Sequence, residues 1–236
     1  MKHHSNISKT EGGEHEIYGH KVTELMRQHS FVDTVFLLYA GKLPIDGERA
    51  LLDTMLVASA EHGIEAPSLY APRVSVASGN SVHVAMAAGI LAIGEAHGGA
   101  GEASARVLAS EESAEDIVER FNKEGKFVPG FGHKVYKDED PRATIIYMKA
   151  KEGKVPLAAF EKAYAIEALL EKQKGKKLPV NIDGAFAAGV LALGMDPLAA
   201  KALFVFGRVA GMGAHAIEEK AQNNGYWRLE EEQGTK

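Results

Sequence analysis

Residues 129–142, Pro-Gly-Phe-Gly-His-Lys-Val-Tyr-Lys-Asp-Glu-Asp-Pro-Arg, combine acid–base side chains with the signals of a rigid loop. His133 lies directly behind two glycines, which permit the tight turn needed where backbone approaches a ligand. Asp140 is predicted to be the N-cap of a following helix with Pro141 at its first position, which would fix Arg142 in the first turn. A loop that only joins two helices needs neither this imidazole nor this guanidinium. The alternative interpretation is a well-capped turn that contains an incidental histidine.

Two charged residues stand within apolar segments. Asp183 leads into Gly-Ala-Phe-Ala-Ala-Gly-Val-Leu, and apolar surroundings raise the pKa of a carboxyl group, which suits proton exchange with carbon. The alternative is a first-turn aspartate stabilised by the helix dipole. Arg208 is the only charged residue within residues 203–216 when histidine is neutral. A buried guanidinium requires a carboxylate, which would come either from the protein or from a substrate.

Three of the ten histidines end or interrupt apolar segments next to glycine, namely His62, His97 and His133. We expect them to project into a cleft. The glycines after His97 are also compatible with a phosphate loop, but they lack the Lys and Ser/Thr of a P-loop. A zinc site built from these histidines has no supporting His-x-x-x-His or Glu-x-x-His pair, so no metal is predicted.

The elements that must position these residues are predicted to be helices, because apolar residues recur at helical spacing through most of the chain. Capping pairs mark helix starts at Ser30 with Asp33 and at Ser113 with Asp116. Strand signals are nearly absent, and residues 73–76 are the best candidate. We therefore predict an all-α protein. The predicted helices cover residues 31–40, 46–62, 81–94, 113–125, 141 onward, 156–173, 181–194 and 196–223.

The composition excludes several classes of protein. The 236 residues are 45% hydrophobic and 25% charged, with a net charge of −5 and no cysteine. No basic block is present, so nucleic acid is not an expected partner. The lack of cysteine excludes disulfides, thiolate metal sites and a cysteine nucleophile. The polar N-terminus has no signal-peptide core and the longest apolar stretch, residues 84–93, is too short to span a bilayer. We expect a cytoplasmic protein without a membrane partner.

A contrast in charge predicts the domain boundaries. The glycine-rich residues 97–101 and the segment 174–179 bracket a region that is more charged than its flanks. The contrast predicts a large helical domain formed by residues 1–98 and 190–236, with a smaller domain inserted at residues 99–189.

The order of these segments resembles the citrate synthase superfamily, in particular its short citryl-CoA lyases and the C-terminal module of ATP-citrate lyase. The element at residues 129–142 is highly specific, and the other segments, weak alone, occur in the family's order from about Tyr18 to Arg228. These segments are Tyr18-Gly19, Glu24-Leu25, Ser30-Phe31, Gly41-Lys42-Leu43-Pro44, Glu61-His62-Gly63, His97-Gly98-Gly99-Ala100, Asn181-Ile182-Asp183-Gly184 and Arg208-x-x-Gly211-x-x-Ala214-His215-x-x-Glu218.

The resemblance implies a mostly helical dimer of the citrate synthase-like fold, with a CoA-binding small domain and the active site in the cleft between the domains. It implies that His97 stabilises the enol or enolate oxygen of acetyl-CoA and that Asp183 moves the proton of the acetyl methyl group. His133 would exchange a proton with the oxygen on the oxaloacetate carbonyl carbon. The residues implied to hold substrate carboxylates are His62, Arg142, Arg208 and Arg228, the last reaching into the neighbouring subunit. The residues implied to contact CoA are Val128, Gly130, Phe131, Gly132 and Lys137.

The implied activity is cleavage of citryl-CoA to acetyl-CoA and oxaloacetate, with the CoA thioester as substrate and no bound cofactor. The short chain, the abbreviated small domain and the Glu-His-Gly segment at residues 61–63 favour a lyase over a citrate synthase or a 2-methylcitrate synthase. A third alternative is a silent relative that binds CoA or a carboxylate, although all three catalytic positions carry the expected residue. The implied partners are further copies of the chain, in a homodimer or higher homo-oligomer, and a citryl-CoA synthetase in the cell.

Overall fold

Eleven α-helices and one three-stranded antiparallel sheet form residues 4–228, the part of the chain that this computed structural model describes. The strands are β1 (Ser8–Glu11), β2 (Glu14–Ile17) and β3 (His20–Lys21). The helices are α1 (Val22–Gln28), α2 (Phe31–Ala40), α3 (Asp46–Ala60), α4 (Pro67–Ala77), α5 (Val82–Leu91), α6 (Ala100–Ala109), α7 (Ala114–Lys123), α8 (Pro141–Glu152), α9 (Ala158–Lys174), α10 (Ile182–Ala192) and α11 (Leu198–Gln222). The mostly helical prediction is confirmed, and the small N-terminal sheet is an addition that the sequence did not predict.

Several helix starts and ends follow the capping signals of the sequence. Ser30 and Asp33 form a reciprocal capping box at the start of α2, in which each side chain accepts a hydrogen bond from the other residue's backbone N–H. Ser113 and Asp116 form the same box at the start of α7. Gly41 ends α2 in the left-handed conformation, with φ +72°. These local hydrogen bonds satisfy backbone groups that the helix itself leaves unpaired.

The strand suggested for residues 73–76 is wrong, because these residues lie within α4. Leu69, Arg73 and Val76 are buried at intervals of four and three residues, which is the spacing of one helix face. The helix begins with Pro67 at its first turn and has no side-chain cap, so the usual start signal is missing from the sequence.

The described chain divides into two compact units. Unit 1 contains the residues up to Ala58 together with Ala100–Phe204, and unit 2 contains Ser59–Gly99 together with the residues from Val205 onward. These bounds differ from the three predicted segments. The assignment of a CoA-binding domain to residues 99–189 stays a prediction.

The core of unit 1 is centred on α10. This helix packs against α6, α8 and α9, and eight of its eleven residues are buried. Gly189 in α10 lies so close to Met55 that a Cβ there would stand 2.6 Å from the sulfur. Removal of large side chains from water, such as Phe160 and Phe186, stabilises unit 1 by about 1.5–3 kcal/mol each.

The core of unit 2 is built on the close packing of α4 and α5. Gly89 in α5 approaches Pro72 and the Ser68 carbonyl oxygen, each 2.7 Å from where its Cβ would be. Leu69 and Met212 are fully buried in the same cluster. Among residues 4–228, no helix is both long and apolar enough to cross a membrane. The cytoplasmic location stays a prediction.

Candidate active site

The loop before α8 is pressed against the start of α10 within unit 1. Gly130 and Gly132 have φ angles of +92° and +78°, a conformation that other residues rarely adopt. A Cβ on Gly130 would lie 2.8 Å from the Gly184 Cα, and a Cβ on Gly184 would lie 2.4 Å from the Gly130 carbonyl oxygen. The Asn181 backbone N–H also donates to that oxygen at 3.0 Å. Two glycines therefore allow a contact that fixes the loop.

The same loop fixes the tautomer of His133. The backbone N–H groups of Val135 and Tyr136 both donate to His133 Nδ1, each at 3.1 Å. Because Nδ1 accepts, the neutral ring carries its proton on Nε2. The Nε2 atom lies 3.5 Å from Nη2 of Arg142, so two N–H donors stand side by side. Such a pair is suited to a substrate oxygen that carries or develops negative charge.

The pKa of His133 lies below the ordinary value of 6.5, mainly because the ring is partly buried. The negative charge of Asp140 acts in the opposite direction, and the positive charges of Arg142 and Lys137 lower the pKa further. The imidazole is therefore neutral near neutral pH.

Asp140 caps α8, as predicted, and also orients Arg142. The residue is 1% exposed, and its carboxylate accepts hydrogen bonds from the Arg142 backbone N–H at 3.1 Å, from Nε at 3.0 Å and from Nη2 at 2.8 Å. It also accepts from the Ile182 backbone N–H at 3.1 Å, at the start of α10. Burial acts to raise the pKa of Asp140, but the hydrogen bond and charge of Arg142 outweigh it and hold the pKa below the ordinary value.

Asp183 lies in the first turn of α10 and is half-buried. Asn181 is the N-cap, and its side-chain oxygen accepts from the backbone N–H groups of Asp183 at 3.0 Å and of Gly184 at 3.2 Å. The Asn181 amide nitrogen donates to the Gly132 carbonyl oxygen at 2.9 Å. A Cβ on Gly101 would lie 4.0 Å from Asp183 Oδ1, so α6 leaves room beside this carboxylate. One asparagine thus couples the His133 loop to Asp183.

The residues predicted to contact CoA lie in or next to this loop. Val128 is buried, Phe131 is half-buried, and Phe131 forms an isolated antiparallel β-bridge with Val180. Lys137 is exposed and donates to the His133 carbonyl oxygen at 3.1 Å. Their role toward CoA stays a prediction.

Unit 2 contains the second group of predicted residues, and there Ser68 fixes the tautomer of His97. The Ser68 backbone N–H donates to His97 Nε2 at 3.3 Å, and the Ser68 hydroxyl lies 2.8 Å from the same atom. Because Nε2 accepts from the amide, the neutral ring carries its proton on Nδ1. Ser68 lies on α4, 29 residues before His97. No pattern in the sequence pointed to it.

Arg208 is 3% exposed and also contacts Ser68. Its Nε donates to the Ser59 carbonyl oxygen at 2.6 Å, and its Nη1 donates to the Ser68 hydroxyl at 3.1 Å. Burial lowers the pKa of His97 below the ordinary 6.5, and the positive charges of Arg208 and His62 lower it further. His97 is therefore a neutral hydrogen-bond donor near neutral pH.

His62 stands in an exposed turn after α3, between Glu61 and Gly63. The Gly63 backbone N–H donates to the Glu61 carboxylate at 2.6 Å, and Gly63 has φ +86°. Arg228 is also exposed, and its guanidinium stacks on the Tyr226 ring at 4.9 Å.

The predicted residues thus fall in two groups. In unit 1, His133 lies beside Arg142, and Asn181 links their loop to Asp183. In unit 2, Ser68 contacts both His97 and Arg208, and the charge of His62 acts on His97. The sequence missed Ser68 and the second functions of Asp140 and Asn181. For Asp140 and Asn181, the only signal in the sequence was their position at the start of a helix. Within residues 4–228, no three His, Cys, Asp or Glu side chains are arranged to hold a metal ion.

Comparison with known proteins identifies the family of the chain. A family model described as citrate synthase, C-terminal domain, matches residues 45–230. A 2-methylcitrate synthase from Shewanella oneidensis is 32% identical over 197 residues, which is 79% of this chain and 51% of the relative. The chain spans about half the length of the curated relatives that it matches.

Two solved structures share the fold. Citryl-CoA lyase from Hydrogenobacter thermophilus superposes with a TM-score of 0.91 at 36% identity, covering 99% of this chain and 93% of that chain. A citrate synthase from Thermoplasma acidophilum, solved with carboxymethyl-CoA and oxaloacetate, has a TM-score of 0.71 at 28% identity and covers 86% of this chain and 56% of that chain. The family model spans most of the chain and the curated relative matches over more than two thirds of it, so this chain belongs to the citrate synthase family.

Proposed function

We propose that this protein is a citryl-CoA lyase, which cleaves citryl-CoA to acetyl-CoA and oxaloacetate. The observation that carries the proposal is the pair of fixed neutral tautomers, with Nε2–H of His133 beside Arg142 and Nδ1–H of His97 opposite the Ser68 contact. Each ring would present one N–H to a reacting oxygen. The other nitrogen accepts from two backbone N–H groups in His133 and from the Ser68 backbone N–H in His97.

The cleavage begins at the citryl hydroxyl group. Nε2 of His133 already carries a proton, so the hydroxyl proton passes to solvent water and the oxygen becomes the carbonyl of oxaloacetate. Nε2–H donates a hydrogen bond to this oxygen and stabilises the negative charge that develops on it. The two amide donors at Nδ1 keep the ring proton on Nε2, so the neutral ring donates throughout this step. By microscopic reversibility, the same Nε2–H donates to the oxaloacetate carbonyl oxygen in the condensation direction, and that oxygen takes its proton from solvent.

The electron pair of the breaking carbon–carbon bond moves toward the thioester. It leaves an enol or enolate of acetyl-CoA, whose oxygen accepts a hydrogen bond from Nδ1–H of His97. Asp183 then gives a proton to the terminal carbon, which completes the methyl group of acetyl-CoA. Asp183 regains a proton from solvent, so the cycle requires no metal and no redox cofactor.

The remaining predicted residues bind the two ends of the substrate. Arginine suits a tricarboxylate, because its planar fork forms two parallel hydrogen bonds with one carboxylate. The proposed carboxylate ligands are His62, Arg142, Arg208 and Arg228. The proposed CoA contacts are Val128, Gly130, Phe131, Gly132 and Lys137.

Citrate synthase or 2-methylcitrate synthase activity is the second candidate. The relatives from Shewanella oneidensis and Thermoplasma acidophilum favour it, and the same residues would catalyse the condensation. The similarity in length and fold to the Hydrogenobacter thermophilus protein favours the lyase. A homodimer and a cellular citryl-CoA synthetase are further parts of the proposal. A silent CoA-binding relative is the third candidate.

Incubation of the purified protein with citryl-CoA, followed by chromatography of the products, tests the proposal. We expect oxaloacetate and acetyl-CoA. Citrate with free CoA would mean that the activity is that of a citrate synthase. A parallel incubation with propionyl-CoA and oxaloacetate identifies a 2-methylcitrate synthase. Recovery of intact citryl-CoA would overturn the proposed function and favour the third candidate, a silent relative that binds CoA.

A further inference from the structure

His215, which the proposed reaction does not use, lies between two anchored groups of unit 2. Its Nε2 is 2.8 Å from Glu61 Oε1, and its Nδ1 is 3.4 Å from Arg73 Nη1. Guanidinium nitrogens only donate hydrogen bonds. In the neutral ring, Nδ1 therefore accepts from Arg73 and Nε2–H donates to Glu61. The carboxylate of Glu218 lies 3.8 Å from Nδ1.

One of these partners, Glu61, closes the turn that carries His62. Its Oε1 binds His215, and its Oε2 accepts from the Gly63 backbone N–H at 2.6 Å. The second bond forms a ring that encloses residue 62, and the Gly63 carbonyl oxygen accepts from the Ala66 N–H at 3.1 Å. Burial acts to raise the pKa of Glu61, but the hydrogen bonds from His215 and Gly63 hold it below its ordinary value.

The other partner, Arg73, is itself held in a fixed position. It is 5% exposed, and its guanidinium binds the carboxylates of Glu218 at 2.5 Å and Glu219 at 2.6 Å. It also donates to Gln222 Oε1 at 3.1 Å and lies 5.6 Å from the Trp227 ring centre. A buried cation held by two carboxylates keeps one orientation. The contact with Arg73 therefore holds His215 in place whatever conformation the turn at Glu61 adopts.

We propose that His215 is a positioning residue for His62. It holds the Glu61 carboxylate through Nε2–H, Glu61 holds the Gly63 amide, and the enclosed residue places the His62 imidazole for a substrate carboxylate. The turn itself is exposed, so without this hydrogen bond its side chains have more conformations to lose on binding. The consequence for turnover rests on the proposed function, whereas the effect on the His62 ring does not.

A matched pair of substitutions distinguishes two roles of His215. In one role it positions His62, and in the other it only holds α11 against the end of α3. His215→Gln places an amide nitrogen near the original Nε2 and keeps a donor for Glu61. His215→Asn places its amide near Nδ1 and loses the Glu61 contact. We expect His215→Asn to raise KM for oxaloacetate about tenfold in the condensation direction, with a smaller change in kcat, because His62 binds ground and transition states alike. KM for acetyl-CoA should stay unchanged in both variants.

One further variant serves as a control, and substitution of Glu61 tests the same contact from its other side. His83→Asn changes an exposed histidine of α5 whose Nδ1 lies 3.2 Å from the Ser81 hydroxyl oxygen, and it should leave both KM values unchanged. Glu61→Ala should reproduce His215→Asn, and the double variant should be no worse than either single variant, because both remove the same contact.

The second readout is the NMR spectrum of the His62 ring in the substrate-free protein. The wild type and His215→Gln should share one set of His62 resonances, whereas His215→Asn should shift or broaden them. Equal effects of Gln and Asn on oxaloacetate KM, or His62 resonances unchanged by His215→Asn, would overturn the positioning role. If the wild type turned over neither substrate set, the proposed function would fail, and the NMR comparison alone would decide the role of His215.

Discussion

At the scale of residues, different neighbours determine which ring nitrogen carries the proton in the two histidines of the proposed reaction. Backbone amides hold Nδ1 of His133, and a serine amide and hydroxyl hold Nε2 of His97. Burial lowers the pKa of both rings below 6.5. In the proposed reaction, both rings act as neutral donors or acceptors, which avoids placing a full positive charge against an enol.

We expect kcat/KM to be retained from neutral pH down to 6.5 and to fall at lower pH, as the two rings take up protons.

Arg208→Gln removes a positive charge that lowers the pKa of His97, so that pKa should rise toward 6.5. An NMR titration of His97 in the wild type and the variant measures the shift. An unchanged or lower pKa would contradict this electrostatic assignment.

The same pKa shifts make stability depend on pH. In the unfolded chain both histidines titrate near 6.5, and in the folded chain they titrate lower. Their contribution is therefore fully present above pH 6.5 and is lost as the pH falls through the folded pKa values.

Asp183→Asn tests the proposed carbon acid–base residue. The substitution keeps the shape of the side chain, and the Asn181 cap binds only backbone N–H groups of α10. Turnover of citryl-CoA should fall by about 10²–10⁴-fold, which is the usual contribution of a general acid or base. Binding of CoA, measured by calorimetry, should change little. A variant with wild-type turnover would refute the mechanism.

At the scale of elements, the starts of α8 and α10 form one unit with the glycine loop. Asp140 accepts from the first turn of both helices, and Asn181 binds the loop carbonyl oxygen of Gly132. A displacement of the loop therefore moves the proposed proton donors and the helix start that carries Asp183.

Gly130→Ala should disrupt this contact. A Cβ would lie 2.5 Å from Ser104 Oγ and 2.8 Å from the Gly184 Cα, at a φ of +92°. We expect a loss of about 3 kcal/mol in the free energy of unfolding, from strain and overpacking together, and a large loss of turnover. Gly125→Ala is the matched control, because its φ is +65° and nothing lies within 4 Å of its Cβ. It should cost about 1 kcal/mol and leave turnover unchanged. Equal denaturation midpoints for the two variants would contradict the close contact.

Asp140→Asn separates the two roles of this residue. Asparagine is as good an N-cap as aspartate, so α8 should still form, but the charge-assisted pairing with Arg142 is lost. KM for oxaloacetate should rise about tenfold, which corresponds to the loss of one charged hydrogen bond, with little change in KM for acetyl-CoA. Asp196→Asn, at the other Asp-Pro helix start, is the control, since this exposed residue accepts from the Leu198 N–H at 2.8 Å. Equal KM values for the two variants would refute the orienting role.

At the scale of the whole molecule, the proposed residues are divided between the two compact units. Unit 1 supplies His133 and Asp183, and unit 2 supplies His97 and Arg208. Arg228 follows α11 and rests on the Tyr226 ring. Its proposed role in a neighbouring subunit makes a prediction about mixed oligomers.

Mixing Arg228→Ala and Asp183→Asn proteins, each with little activity, tests whether Arg228 acts across a subunit boundary. In a mixed dimer, one site would combine the intact Asp183 of one subunit with the intact Arg228 of the other. We expect activity to return after unfolding and refolding the two variants together, up to about a quarter of the wild-type value for random pairing of dimers. No recovery in a sample that size-exclusion chromatography shows to be dimeric would mean that Arg228 acts within its own chain or not at all.

Local features of this chain were determined by the sequence alone. The capping boxes of α2 and α7 and the Asp140 cap follow from residues two or three positions apart, so their hydrogen bonds form whenever the segment is helical. The glycine turn before His133 was predictable for the same reason. The order of the motifs also identified the family, which the comparisons confirm.

The chemistry of the site was decided by the tertiary structure. The tautomer of His97 depends on Ser68, and the His62 turn depends on His215, 154 residues from Glu61. Arg73 became a buried helical anchor where the sequence suggested a strand, because its carboxylate partners come from α11. Contacts between residues this far apart leave no periodic signal in a single sequence. They arise only when packing brings the helices together and buried polar groups must find partners.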